Sequence, residues 1–163
     1  MSTPNAPAPT EFNSPRAVKA RALFERGYNC AQAVFLAFGD KTGLDEKTAA
    51  RLSSSFGGGM GRLREVCGTV SGMFLVVGAL YGTDDPQAGE AKAAQYRDLQ
   101  ELAKRFRESN GSIVCRELLG LTEKTSEPTP EKRTAEYYKK RPCSELVAQA
   151  AQILDEFLAE RGV

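Results

Sequence analysis

The chain has 163 residues, enough for one domain that buries roughly 70% of its unfolded surface. Lys and Arg number 22 against 21 Asp and Glu, a net charge of +1, which removes any bulk electrostatic drive towards nucleic acid or an anionic membrane. Histidine is absent, which excludes Ser-His-Asp and Cys-His catalysis together with every imidazole metal site.

Residues 1–13, MSTPNAPAPTEFN, are rich in Pro, Ala, Ser and Thr and are expected to form a disordered tail ahead of one helical domain over 14–163. They lack the cationic start and apolar run of a secretory signal, and no apolar run is long enough to span a bilayer, so a cytoplasmic protein without membrane insertion is expected. Ser14 and Pro15 open the first predicted helix, which stops at Gly27. Asn29 caps the next, closed at Gly39, and Asp45 caps a third that ends at the glycines of residues 57–61. A fourth is predicted from Cys67 or Gly68 to Tyr81. A long fifth, 90–110, carries Ala91, Ala94, Leu99, Leu102, Ala103 and Phe106 on one side, with Gly111 as its stop. A short helix follows Ser112 and ends at Gly120, and the prolines at 128 and 130 mark a loop. The basic stretch Lys132–Arg141, broken by Glu136, reads as a solvated helix face rather than a binding patch. The last helix begins at Pro142 or Cys143, and its seam of Leu146, Ala150, Ile153 and Phe157 wants a partner helix, in this chain or in a homodimer. No alternating strand pattern occurs, so the expected fold is all-α, a bundle of about six helices.

The four cysteines, Cys30, Cys67, Cys115 and Cys143, each fall at or near the start of a predicted helix. Unpaired amides and the helix dipole favour thiolate there, and cysteines so placed can have pKa values of about 3.5–7.5. Each also has apolar residues three, four or seven positions on, so helical periodicity turns the sulfurs towards the core. Buried cysteines also occur simply as small apolar residues. No C-x-x-C pair exists, which argues against a zinc ribbon, a thioredoxin-type motif or a ferredoxin run. A shared site would take one ligand from each of four segments, and cysteine-only ligation suits a four-thiolate zinc or an iron–sulfur cluster.

The stretch FGGGMGRLREVCGTVSG, residues 56–72, concentrates glycine ahead of Cys67. It lacks the Lys-Ser or Lys-Thr of a phosphate loop. It also puts Arg62 where a dinucleotide fingerprint needs its last glycine, with no strand before it. Close backbone approach is the better reading, to another helix or to something bound beside Cys67.

These residues resemble the C_GCAxxG_C_C family of redox-active proteins. The likeness runs through YNCAQAV around Cys30, FGGGMGR, VCGTVSG at Cys67, CRELLG at Cys115 and RPCSELVAQAAQIL at Cys143, covering about residues 20–160. Thr69 stands where the motif has alanine. The resemblance implies a compact helical protein whose redox cysteines are Cys30, Cys67, Cys115 and Cys143, and domains of this type are associated with iron–sulfur binding. The leading expectation is that the four cysteines ligate a two-iron two-sulfur cluster for electron transfer to an unknown redox partner. Gly58, Gly59, Gly61 and Gly68 would bring backbone amides to the sulfurs. The alternatives are a thiol–disulfide protein using one cysteine pair and a helical binding module whose cysteines are merely buried.

Overall fold

The structure is a computed structural model that describes residues 12–122 and 125–163. Of the tail expected over 1–13, only Phe12 and Asn13 fall among them, and the Phe12 carbonyl accepts a hydrogen bond from Arg21 Nη2 at 3.1 Å. The fold is helical. Among the described residues the only extended pairing is one isolated antiparallel bridge, Val66 to Val114.

Local signals set the helix starts. Ser14 Oγ accepts the Ala17 amide at 3.1 Å and Pro15 occupies the first turn of α1 (Pro15–Glu25). Asn29 and Gln32 exchange hydrogen bonds in a full capping box, which fixes Cys30 as the first residue of α2 (Cys30–Leu36). The second predicted helix therefore ends before Gly39, where a single turn, α3 (Gly39–Thr42), takes over. Asp45 Oδ1 caps α4 (Glu46–Ser53), which tightens into a 3-10 turn at Ser54–Phe56. The nominal turn α5 (Gly57–Met60) is not right-handed at its centre, where Gly58 and Gly59 both have positive φ. Then come α6 (Gly68–Tyr81), α7 (Gly89–Asn110), α8 (Cys115–Leu118), α9 (Ala135–Lys140) and α10 (Cys143–Glu160).

Helix α10 runs along α1, and α2 lies between this pair and α4 and α6, while α7 covers α6 and the far end of α10. The seam on α10 finds its partner within the chain: Leu146, Ala150 and Phe157 are buried. Helix α7 buries Leu102, Ala103 and Phe106, with Leu99 partly buried against the same core; Ala91 and Ala94 stand exposed. The close crossing of α2 and α6 depends on glycine. A Cβ on Gly72 would lie 2.8 Å from Val34 Cβ, and one on Gly68 would lie 3.1 Å from Cys30 Cβ and 3.0 Å from the Phe56 carbonyl oxygen. The four-residue spacing of these glycines keeps them on one face of α6 and seats Cys30 beside Cys67. Among the described residues no helix is long and apolar enough to cross a membrane.

Candidate redox site

Four separate segments deliver the cysteines. Cys30 opens α2, and Cys143 opens α10 after Pro142. Cys67 and Cys115 flank the Val66–Val114 bridge: the Cys67 amide donates to the Ile113 carbonyl at 2.7 Å and the Cys115 amide to that of Glu65 at 2.6 Å. Alternation along an extended backbone sends both side chains to the face opposite Val66 and Val114. All four cysteines line one cavity of about 300 Å³. Cys67, Cys115 and Cys143 are buried, Cys30 is partly so, and none is in a disulfide.

The glycines build one wall by reversing the chain's handedness. Every residue from Gly58 to Arg62 has a positive φ, as has Arg64. For an L-residue other than glycine, left-handed backbone costs roughly 1–2 kcal/mol, so a run of this length is tolerable only where glycine fills most of it. The Gly61 amide closes the turn on the carbonyls of Gly57 and Ser55, and the Arg64 and Glu65 amides reach back to Gly58 and Gly59. Gly58, Gly59, Gly61 and Gly68 all line the cavity. The Gly61 N–H is taken up within the turn by the Ser55 and Gly57 carbonyls. Gly59 instead supplies room, since a Cβ there would stand 2.6 Å from that of Cys115.

The opposite wall comes from the segment leading into α9 and α10. Pro128, Pro130, Glu131, Arg133, Tyr137 and Arg141 face the cavity. The basic stretch expected to be a solvated face is therefore divided: Lys139 and Lys140 are exposed, while Arg133 and Arg141 turn inward. Arg133 donates to the Phe24 and Tyr28 carbonyls at 2.9 and 3.1 Å and stacks on the Phe24 ring at 4.1 Å. Arg141 pairs with Glu131. From the glycine turn, Arg62 Nε donates to the Glu127 carbonyl at 2.7 Å and Arg64 Nε to Ser126 Oγ at 2.8 Å, fastening this segment across the site. Arg62, Arg64, Arg133 and Arg141 thus line the cavity against one carboxylate, Glu131. Sequence reasoning missed this cationic lining. Composition and spacing carry no sign of which surface-type residues will turn inward.

The thiols are electrostatically unequal. Interaction with the neighbouring Cys143 thiol raises Cys30 well above the ordinary thiol range, with burial adding to the rise. The same interaction lowers Cys143, working against burial, and Arg141, Arg133 and Arg64 help it. Cys143 is accordingly the more acidic thiol of the pair. Burial pushes Cys67 up to about 12, although Thr69 Oγ1, in hydrogen-bond contact with its sulfur at 3.1 Å, opposes the rise. Burial also raises Cys115, partly offset by Arg64, whose Nη1 donates to its Sγ at 3.6 Å. Of the four thiols expected to be lowered at helix starts, only Cys143 is, and its largest cause is the Cys30 side chain rather than its place on the helix. Desolvation raises Cys67 and Cys115, and the neighbouring Cys143 raises Cys30. Tyr137, on the same wall, is raised by burial and then by the charge on Cys143.

A family model described as "Putative redox-active protein (C_GCAxxG_C_C)" matches residues 28–157, most of the chain. The chain belongs to this family. No curated protein and no solved structure matches it. In this C_GCAxxG_C_C member the motif residues have separable physical duties: the glycines of CGTVSG let α2 and α6 meet, and the cysteines border the space so formed. Thr69, in place of the motif alanine, adds a hydroxyl at the Cys67 sulfur. Among the described residues no three Cys, His, Asp or Glu side chains are grouped to hold a single metal ion. The four sulfurs border a cavity rather than a point.

Proposed function

We propose that this redox-active protein holds a two-iron two-sulfur cluster on Cys30, Cys67, Cys115 and Cys143 and passes electrons singly. The observation that carries the reading is that four cysteines from four segments line one cavity. The donor set fits. Thiolate ligands suit iron–sulfur chemistry, and a two-iron core divides its ligands two and two, so no three need surround one ion. Cys30 with Cys143 and Cys67 with Cys115 make such a division, the first pair by the interaction of their thiols and the second across the Val66–Val114 bridge. When bound, the cluster supplies a one-electron couple. The chain's own contribution is to set four arginines against thiolate charge and to place the Thr69 hydroxyl and the Arg64 guanidinium at two sulfurs. Anaerobic reconstitution with ferrous iron and sulfide tests it. Coloured protein with iron and acid-labile sulfide in equal amounts, on the order of two of each per chain, is expected. Colourless, iron-free protein rejects the reading.

The interaction between the Cys30 and Cys143 thiols favours a second reading, dithiol–disulfide exchange. Cys143 thiolate would attack a disulfide in a partner, releasing one partner thiolate. Cys30 would then attack the Cys143 sulfur, releasing the second, so that the partner gains two electrons and the Cys30–Cys143 disulfide forms. Mass spectrometry after mild oxidation distinguishes the readings. A Cys30–Cys143 linkage that a dithiol reductant reverses supports exchange, and its absence removes it.

A further inference from the structure

Arg64 is the one buried basic residue among those described, 5% exposed, and it stands on left-handed backbone at φ +59°. A charge withdrawn from water this far costs several kcal/mol unless a counter-charge meets it. No carboxylate provides one. Glu65 is engaged by Arg116 and Glu131 by Arg141. Among the described residues Arg64 makes no ion pair; its side chain donates to Ser126 Oγ and to the Sγ of Cys115.

The surroundings hold the guanidinium in that position. The Arg64 amide bonds to the Gly58 carbonyl at 3.2 Å, and the Arg64 carbonyl accepts from the Arg116 amide at 3.2 Å and from Arg116 Nη1 at 3.3 Å. A Cβ on Gly58 would lie 2.8 Å from Arg62 Cγ and 3.9 Å from Arg64 Nη1, so this glycine helps to leave the passage open. The glycine turn thus delivers a cation without a carboxylate partner to the cavity and fixes it at one sulfur.

We propose that Arg64 is the positioning residue that sets the reduction potential of the four-cysteine centre, supplying a buried positive charge and a hydrogen bond to Cys115. The inference rests on the cluster reading above. A cation beside a ligand sulfur stabilises the form of the centre that holds one more electron, so Arg64 raises the potential. Its second bond, to Ser126, ties the same guanidinium to the segment covering the cavity and keeps its direction fixed.

The test uses the full chain, wild type, Arg64→Gln and Arg64→Lys, each reconstituted anaerobically with ferrous iron and sulfide. Each is assayed for iron, then titrated with dithionite and mediator dyes while visible absorption is followed. Arg64→Gln is expected to hold the same iron and to reduce at a lower midpoint. The shift should be at least tenfold in the one-electron equilibrium, about 59 mV. Arg64→Lys, which keeps the charge but loses the planar fork, should fall between the two. Equal iron with equal midpoints in all three chains overturns the inference and leaves the cluster standing. A wild-type chain without iron overturns both, and the iron assay separates the cases. Should Arg64→Gln fail to fold, Arg64→Lys decides alone: a lowered midpoint supports the inference and an unchanged one rejects it.

Discussion

At Gly59 two requirements coincide: φ is +69°, and an added Cβ would stand 2.6 Å from Cys115 Cβ and 2.8 Å from the backbone of Arg64 and Glu65. Neither neighbour can yield cheaply, because one belongs to the cysteine site and the other to the turn that orients Arg64. Gly59→Ala is therefore expected to lower the stability of the apo-protein by about 2–5 kcal/mol, adding left-handed strain to overpacking. A denaturant titration followed by circular dichroism measures it, and a loss under 1 kcal/mol would contradict the packing described. Gly61 makes a useful contrast: its φ is +60°, but the nearest atom to an added Cβ is 3.9 Å away. Strain alone, roughly 1–2 kcal/mol, is expected of alanine there.

Among the elements, α2 depends most clearly on its first turn, because the Asn29–Gln32 capping box also fixes where Cys30 begins the helix. Asn29 Nδ2 further donates to the Ser54 carbonyl at 2.9 Å, joining α2 to the approach to the glycine turn. Asn29→Ala should cost about 1–2 kcal/mol in a thermal or chemical melt. Helices α1 and α3 are joined by Arg16 and Asp40, whose second contact, Nη2 to Oδ2, is 2.8 Å. Arg16 holds the Asp40 carboxyl down at about 2 from an ordinary 3.8. A depressed carboxyl stabilises the fold above its unfolded pKa and loses that contribution as pH falls through the folded one. Denaturation midpoints of wild type and Asp40→Asn should therefore differ at pH 5 and converge near pH 2. These caps were legible because Ser14, Asn29 and Asp45 act within a few residues of themselves. The cysteines at helix starts were legible for the same reason. The left-handed turn was not: glycine announces permission for positive φ, but Met60, Arg62 and Arg64 adopt it with no local preference to reveal it. The thiol order was not legible either, since it follows burial and sulfur-to-sulfur contact, which only tertiary packing creates.

Taken as a whole, the molecule is a helical body with a fastened strap. The body consists of α1, α2, α6 and α10 with their shared core, and the strap runs from Ser126 to Arg133 over the cysteine cavity. Arg133 is its main fastening on the α1 side, through two carbonyls and the Phe24 ring. Arg133→Ala is expected to leave the helical content intact while limited proteolysis becomes at least severalfold faster within residues 125–134. Unaltered cleavage there would show that Arg62 and Arg64 suffice to hold the strap. The contact between Cys30 and Cys143 reaches further than its size suggests. One sulfur sits near the beginning of the body and the other at the start of its last helix, so any bond made through them, directly or by shared metal, encloses most of the chain. A closure of on the order of 100 residues removes about 4–5 kcal/mol of freedom from the unfolded chain. A bond made there would therefore also limit how far the unfolded polypeptide can expand, and with it how readily the whole protein comes apart.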